Sequence, residues 1–134
     1  MSVNELPVAL QDQAFCQVSA LDTGLFNLPE KDFVKPANPD ASFTAPSMSF
    51  LVRHHNKVTR KEELLIFDLG LRRDISSYLP ALQPHLRTRQ PFLVETEARE
   101  VIAKGGLKPE DVDYVVVSSF PQPSLAVVKL PFLD

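Results

Sequence analysis

Apolar and polar residues alternate in the segment that begins at Ala14, and this alternation predicts a first strand. On an extended chain, three of the apolar side chains share one face: Cys16, Val18 and Ala20. Turn-forming residues, Asp-Thr-Gly, follow at 22–24. Residues 27–47 are rich in proline, so we expect a long irregular connection there.

A second alternation and a continuous apolar run together predict a hairpin. In residues 46–54, Met48, Phe50 and Val52 fall on one face of an extended chain. Residues 63–70 are almost continuously apolar, which is typical of a strand covered on both faces. The polar residues between these two segments are expected to turn the chain.

Helical spacing appears in the second half of the chain. The pattern predicts a short helix over 73–79, because Pro80 and Pro84 break any longer one. A stronger amphipathic pattern predicts a helix over 95–104. Residues 112–118 then form an apolar run that predicts a buried strand. The order of these elements indicates an α/β, or layered α+β, organisation without internal repeats.

Charge and composition exclude several classes of protein. With 14 basic and 17 acidic side chains the formal net charge is −3, whereas proteins that bind the phosphate backbone of nucleic acids usually carry a basic excess. No apolar run reaches the roughly 18 residues of a membrane span, and no signal-peptide layout is present. The single cysteine rules out an internal disulfide and favours a reducing compartment. We therefore expect a cytoplasmic protein without nucleic-acid or membrane partners.

The histidines and the cysteine do not form a recognisable metal or nucleophile motif. His54 and His55 are adjacent, so on a strand they point to opposite faces, and His85 stands alone. Cys16 has no histidine at motif spacing and is interpreted as a small buried hydrophobe. We expect these residues to have structural or solvated roles, and no metal ligand among them.

Two further groups of residues leave alternatives open. Ser118 and Ser119 follow the last predicted strand, where nucleophiles can lie, but no Gly-x-Ser-x-Gly elbow surrounds them. The pairs Arg72–Arg73 and 87/89 are interpreted as solvated, although either pair is a candidate for an acidic ligand if the fold brings its members together. A small enzyme that uses one of the serines is the least favoured alternative.

Four segments together resemble members of the metallo-β-lactamase superfamily, with the closest similarity to the N-acyl homoserine lactonases. The segments are Val-Ser-Ala-Leu-Asp-Thr-Gly at 18–24, Met-Ser-Phe-Leu-Val at 48–52, Leu-Ile-Phe-Asp-Leu-Gly-Leu-Arg-Arg-Asp at 65–74, and the run from Gly-Gly-Leu-Lys-Pro to Val-Val-Val-Ser at 105–118. The resemblance covers about residues 14–118.

This resemblance implies an αββα sandwich and a zinc-dependent hydrolase acting on a lactone, lactam or thioester. In the family a His-x-His-x-Asp-His motif follows the strand that ends in serine, and two zinc ions held there activate a water molecule. By the same resemblance Asp68 and Gly70 match positions near the metal pocket. The competing interpretation of Asp68 is a turn former at the end of a strand.

The resemblance stops where the metal motif is expected. Residues 119–124 are Ser-Phe-Pro-Gln-Pro-Ser, so none of the four ligands is present. We expect a flexible start at 1–13, a partial domain at 14–118 and a divergent proline-containing tail at 119–134. The chain then corresponds to a truncated N-terminal half of the sandwich, arising as a truncated product or a short natural variant. It is expected to have no catalytic residues, no zinc and no hydrolytic activity.

An alternative from a different class is a non-catalytic interaction module. Half of a sandwich leaves an apolar face and an unpaired sheet edge exposed, and both invite association or aggregation. Under this alternative the chain associates with another chain through the exposed edge of its sheet. A small-molecule substrate is expected only for complete members of the family.

Overall fold

The computed structural model describes residues 8, 10–119 and 124–129 as a mixed α+β fold built on one sheet. The strands are β1 (Cys16–Pro29), β2 (Ser42–Asn56), β3 (Lys61–Phe67), β4 (Phe92–Leu93), β5 (Tyr114–Ser119) and β6 (Ser124–Lys129), and the helices are α1 (Gln83–Arg87) and α2 (Ala98–Lys104). Their order in the sheet is β4-β1-β2-β3-β5-β6. Among the strands of the described residues, only β3 and β5 pair in parallel. The α+β class predicted from the sequence is confirmed.

The first two strands form a hairpin much longer than the sequence predicts. Pairing continues to Pro29 opposite Ser42, so only residues 30–41 remain outside the two strands and the prediction of an irregular stretch over 27–47 is wrong at both ends. Proline lacks an N–H and is tolerated where a strand is paired on one side only. Pro46 meets this condition, because β3 pairs with β2 only from Phe50 onward.

The turn predicted at 22–24 is instead a bulge within β1. The register shifts between Asp22 and Leu25, and the backbone N–H of Gly24 donates to the Asp22 carboxylate at 3.2 Å. Gly24 has a φ of 116°, and a Cβ there would lie 2.7 Å from the carbonyl oxygen of Leu93. The Asp-Thr-Gly residues therefore form a bulge where β1 passes β4, and the strand continues beyond them.

The predicted hairpin in the middle of the chain is confirmed. β2 and β3 pair in antiparallel register from Phe50 opposite Phe67 to Asn56 opposite Lys61. The chain then crosses over through α1, β4 and α2 and returns as β5, parallel to β3. At the start of β5 the carboxylate of Asp113 accepts the backbone N–H of Leu64 at 2.7 Å, which joins the two parallel strands.

The helices differ from the sequence prediction in position. Residues predicted to form a helix over 73–79 contain only a 3-10 turn, Ile75–Ser77, whereas Pro84, expected to break a helix, lies in the first turn of α1. Proline is tolerated there because the N–H groups of the first turn have no partner within the helix. The helix predicted over 95–104 is present from Ala98, since Glu97 and Glu100 form a capping box at its start.

The two faces of the sheet are covered unequally. The buried core lies on the side of α2 and consists of Leu21, Leu51, Leu64, Ile66, Ile102, Val112 and Val115. The opposite side, which we call the second face, carries Val18, Ala20, Phe50, Val52, Leu65 and Phe67. Of these, Val18 is 59% exposed and the four residues from β2 and β3 are half-buried, whereas Val116, beside Phe67 on the same face, is only 4% exposed. Apolar residues therefore line both faces of the central strands, while the described core fills one of them.

On the core side of β1, the buried residues are Leu21 and Thr23, and small hydroxyl groups make the burial of this polar position possible. Thr23 and Ser49 are fully buried, and their hydroxyl groups lie 3.3 Å apart. The Thr23 hydroxyl also donates to the carbonyl oxygen of Ser47 at 2.8 Å. Because these groups satisfy one another, they are buried without the cost of an unpaired polar atom. Cys16 belongs to the other side and is exposed, which corrects its interpretation as a buried hydrophobe.

The division of the chain into segments 1–13, 14–118 and 119–134, expected from the sequence, falls partly outside the described residues. Residues 1–7, 9, 120–123 and 130–134 lie outside the described residues, so the predictions for 1–13 and 119–134 fall largely on them. Within the described residues, Lys57 donates to the carbonyl oxygen of Asp12 at 2.8 Å, and β6 pairs with β5. None of the helices in the described ranges has the length and apolar character needed to cross a membrane.

Candidate functional site

The ends of the parallel strands β3 and β5 are joined by one carboxylate. The backbone N–H of Asp68, just after β3, donates to the carbonyl oxygen of Val116 at 2.8 Å. In return the Asp68 carboxylate accepts the backbone N–H of Ser118 at 2.7 Å and the Ser118 hydroxyl at 2.6 Å. We call this pair the Asp68–Ser118 clamp. It spans 50 positions of sequence and holds the end of β5 beside the end of β3.

Left-handed backbone turns the chain away immediately after the clamp. Asp68 has a φ of 58° and Gly70 a φ of 68°, a region that aspartate tolerates better than most residues and glycine adopts freely. A Cβ on Gly70 would collide with the side chain of Thr23. Asp68 thus has the role of a strand-end turn residue, and its side chain also binds Ser118.

The residues around the clamp do not fit a zinc ion. Zinc needs about four nitrogen, sulfur or oxygen ligands that converge on one point. Within the ranges that the structure describes, no three His, Cys, Asp or Glu side chains are grouped in this way. Both oxygens of Asp68 already accept hydrogen bonds from Ser118. Residues 120–123, where the resemblance places most of the metal motif, lie outside the described residues and are Phe-Pro-Gln-Pro.

Ser118 also lacks the neighbour that activates a nucleophilic serine. Such a hydroxyl is normally deprotonated by an adjacent base, most often an imidazole. Here the hydroxyl donates to the Asp68 carboxylate, while His54 contacts Cys16 and His85 contacts Arg89. Among the described residues, the hydrogen bonds of Asp68 and Ser118 therefore give the clamp a positioning role.

A contact between Cys16 and His54 was missed by sequence reasoning. The two residues lie opposite each other on β1 and β2, and the Cys16 sulfur is 3.8 Å from Nδ1 of His54. They are 38 positions apart, so no motif spacing could reveal the contact. Only the register of the long hairpin brings them together.

A cavity of about 670 Å³ lies on the helix side of the sheet, and Gly70 is part of its wall. Its apolar lining combines both parallel strands with α2 and the segment before β5: Ile66, Ala98, Ile102, Val112 and Val115. Its polar lining comes from the segment after β3 and from the start of α2: Arg72, Asp74, Tyr78, Glu97 and Arg99. Of the two residues that the resemblance placed near a pocket, Gly70 lines this cavity, and Asp68 is not among its lining residues.

Hydrogen bonds at the polar side of the cavity fix the two carboxylates. Asp74 accepts the backbone N–H of Ser76 at 2.8 Å and its hydroxyl at 2.6 Å, and these bonds from Ser76 lower the pKa of Asp74 below its usual value. Glu97 accepts the backbone N–H of Arg73 at 2.8 Å. The hydroxyl of Tyr78 accepts the backbone N–H of Arg72 at 2.7 Å. These acceptors are thus largely occupied by groups of the chain itself.

The two arginine pairs at 72/73 and 87/89 do not place both members at one candidate binding site. Arg72 lines the cavity, whereas Arg73 bonds outside it to Glu100 at 2.6 Å and to the carbonyl oxygen of Glu95 at 2.7 Å. Arg89 is buried and forms an ion pair with Asp32 at 2.7 Å, so it ties the end of α1 to the turn after β1. Arg99, an exposed residue of α2, joins Arg72 at the cavity.

Comparison with known proteins adds no relative to this picture. No family model, no curated protein and no solved structure matches the chain. Function is therefore argued from the geometry and from the residues themselves.

Proposed function

We propose that this chain is a metallo-β-lactamase-like scaffold, related to the lactonases, that has no zinc chemistry of its own. The observation that carries the proposal is the Asp68–Ser118 clamp. It brings the residue that the resemblance assigns to the pocket against the serine that ends the strand before the expected metal motif. The two positions are neighbours only because β3 and β5 are parallel and adjacent.

The unequal faces of the sheet support the sandwich part of the proposal. In an αββα sandwich each sheet has helices on one face and the other sheet on its inner face. The described sheet has α2 and the core on one face, and partly exposed apolar residues, among them Val18, Phe50 and Phe67, on the second face. This is the distribution that one sheet of such a sandwich requires.

The scarcity of metal-ligating side chains supports the proposal that the chain has no zinc chemistry. Residues 119–124 contain no histidine or aspartate, and the described residues contain no cluster that suits a metal. Without a metal to lower the pKa of water and polarise a carbonyl, hydrolysis by the family's route has no catalyst. The proposed role is therefore that of a non-hydrolytic relative.

The test measures metal content and turnover on the same purified sample. Zinc is supplied in excess, the unbound ion is removed by gel filtration, and bound zinc is measured by atomic emission. Hydrolysis of an acyl homoserine lactone, a thioester and a β-lactam is followed beside a sample treated with a chelator. We expect less than one zinc ion per ten chains, and rates equal to those without protein. Stoichiometric zinc together with chelator-sensitive turnover would overturn the proposal.

Self-association is the second candidate function, and the exposure of the second face favours it. Val18 is 59% exposed on that face. Beyond Leu25 and Phe26, which pair with β4, the outer edge of β1 has no strand partner among the described residues. The occupant we assign to this surface is a second copy of the chain, because the net charge of only −3 gives little repulsion between copies.

Matched lysine variants test this second candidate by light scattering coupled to size exclusion. Val18→Lys places a charge on the second face, while Val58→Lys places one at a side chain that is 92% exposed in the β2–β3 turn. We expect a dimer for the unmodified chain and for Val58→Lys, and a monomer for Val18→Lys. A monomeric unmodified chain, or a dimer that Val18→Lys leaves intact, would contradict self-association. A polydisperse aggregate would also contradict a defined dimer and would favour an incomplete half-sandwich that associates non-specifically.

A further inference from the structure

The cavity on the helix side of the sheet has the size and composition of a small-molecule site. Its volume of about 670 Å³ falls within the roughly 300–1,000 Å³ of typical ligand pockets. The apolar part of its lining is formed by residues of the core, including Ile66, Ile102 and Val115. Such a surface accepts an apolar body and gives it a rigid support.

The acidic side chains at the cavity already accept hydrogen bonds from the chain, whereas the arginines there retain donors for a ligand. The carboxylates of Asp74 and Glu97 already accept hydrogen bonds from the chain. Arg72 makes one side-chain bond, at 3.3 Å to the carbonyl oxygen of Ser77. Within the described part of the chain, neither Arg72 nor Arg99 takes part in an ion pair. Two guanidinium groups therefore retain free donors beside an apolar wall.

A hydroxyl group completes this set of donors. Tyr78 accepts the backbone N–H of Arg72 through its oxygen, and its own proton remains free to donate. Guanidinium groups match the planar geometry of a carboxylate and bind it with two parallel hydrogen bonds. A single carboxylate suits the site better than a polyanion, because Asp74 and Glu97 at the same lining repel additional negative charge.

We propose that this cavity binds a monocarboxylate with an apolar body, a fatty or aryl acid, with the carboxylate on Arg72 and Arg99. The apolar body lies against Leu69 and Leu71, over the buried base of the cavity that Ile66, Ala98 and Ile102 form. The site is separate from the Asp68–Ser118 clamp, and it does not depend on zinc or on the family resemblance. It gives the chain a binding function that needs no catalysis.

Titration with octanoate tests the site, and octan-1-ol is the matched neutral probe. Amide chemical shifts are followed in the full chain. We expect saturable binding of octanoate, with shifts at Ile66, Ala98 and Ile102, and at least about tenfold weaker binding of octanol. Absence of saturable octanoate binding, equal binding of the two probes, or shifts confined to the second face would overturn the proposal.

Arginine variants assign the carboxylate contact. Arg72→Gln and Arg99→Gln each replace an exposed side chain, so the fold is expected to be kept. Arg53→Gln is the control, because Arg53 lies 3.9 Å from Glu62 in the β2–β3 hairpin and outside the cavity lining. We expect about a tenfold loss of octanoate affinity for each cavity variant, with octanol binding unchanged and the control at the level of the unmodified chain. Unchanged octanoate affinity in both cavity variants would overturn the assignment.

A cavity-filling variant provides a second, independent check. Ala98 is buried at the apolar lining, and Ala98→Leu adds side-chain volume there. We expect this variant to lose the binding of both probes while it keeps the far-ultraviolet circular dichroism of the unmodified chain. Retained octanoate binding in a folded Ala98→Leu chain would place the ligand elsewhere and contradict the proposal.

Discussion

The carboxylate of Asp68 accepts two hydrogen bonds from Ser118, one from the backbone N–H at 2.7 Å and one from the hydroxyl at 2.6 Å. Each bond has an ionised acceptor, which makes it stronger than a bond between neutral groups. Together they fasten the end of β5 to the residue that follows β3. This pair therefore fixes the end of β5 beside the point where the chain turns after β3.

Removal of the Asp68 carboxylate is expected to destabilise the protein. Asp68→Ala loses both acceptors and also places alanine at a φ of 58°, so we expect a loss of about 2–3 kcal/mol in the free energy of unfolding. Asp68→Gly loses the same acceptors without the backbone strain, and its loss is expected to be about 1 kcal/mol smaller. Unfolding in urea, followed by circular dichroism, measures both.

A double-mutant cycle isolates the clamp within that total. Ser118→Ala removes only the hydroxyl bond and is expected to cost about 1 kcal/mol, because Ser118 is exposed and water competes for the carboxylate. The double variant Asp68→Ala with Ser118→Ala should lose less than the sum of the single losses. Strictly additive losses would show that the two side chains do not interact in solution.

Substitution of two glycines with similar backbone angles distinguishes the cost of a steric clash from the cost of backbone strain. Gly70 and Gly106 have φ values of 68° and 80°, but a Cβ on Gly70 meets Thr23, whereas a Cβ on Gly106 meets nothing within 4 Å. We expect Gly106→Ala to cost about 1 kcal/mol from strain alone. Gly70→Ala should cost about 1–3 kcal/mol more, because Thr23 is fully buried and has no room to move. Equal losses in urea unfolding would refute the close approach of Gly70 to Thr23.

Acid should weaken the start of α2 through Glu100. The hydrogen bond from the backbone N–H of Glu97, together with that from Arg73, lowers the pKa of Glu100 below its usual value of 4.5. A folded-state pKa that is depressed stabilises the protein above the unfolded pKa, and this stabilisation disappears as the pH falls through the folded value. We therefore expect stability to fall as the pH drops below about 4.5, and to fall less steeply in Glu100→Gln.

Urea midpoints measured at several pH values between about 3 and 7 check this prediction. Glu110→Gln is a matched control, because Glu110 is an exposed glutamate in the 3-10 turn Pro109–Asp111. Its pH dependence is expected to follow that of the unmodified chain. A Glu100→Gln variant with the full acid sensitivity of the unmodified chain would contradict the role assigned to this carboxylate.

Cys16 should react in the folded protein. Its side chain is exposed on β1 and forms no disulfide, so in a sample dilute enough to be monomeric a disulfide reagent is expected to modify it at a rate within about tenfold of that in urea. Release of thionitrobenzoate measures the rate, and Cys16→Ser is the blank, since the chain has a single cysteine. A thiol that reacts only after unfolding would mean that the second face is covered in solution.

Elements with a strong local pattern could be predicted from the sequence. The β2–β3 hairpin, α2 and β5 each contain an apolar period long enough to be recognised, and all three are present. α1 was missed because Pro84 was expected to end a helix, whereas its place in the first turn is decided by where the helix starts. The length of the β1–β2 hairpin was missed because the pairing of prolines such as Pro29 depends on which side of a strand is occupied.

The candidate sites likewise combine residues that a local pattern indicates with residues that only the fold brings together. The resemblance singles out Asp68 and Gly70, but Ser118, the partner of Asp68, lies 50 positions away, and no local pattern connects the two. The cavity draws its lining from β3, the segment after it, α2 and β5, so no local pattern describes it. Arg99 was passed over because on a single helix it is one charged residue on the polar side.

The class of the fold, the central hairpin and the lack of zinc ligands at 119–124 follow from the amino-acid sequence, because they depend on periodicity and residue type within short segments. Which face of the sheet is buried, and which side chains meet, depends on the pairing of strands that are distant in the sequence. The alternation in β1 favoured the side with Cys16 and Val18, yet the buried side is the one with Thr23. Mutual hydrogen bonds with Ser49 and the close approach of Gly70 offset the cost of burying a hydroxyl, and these contacts exist only once distant strands are paired.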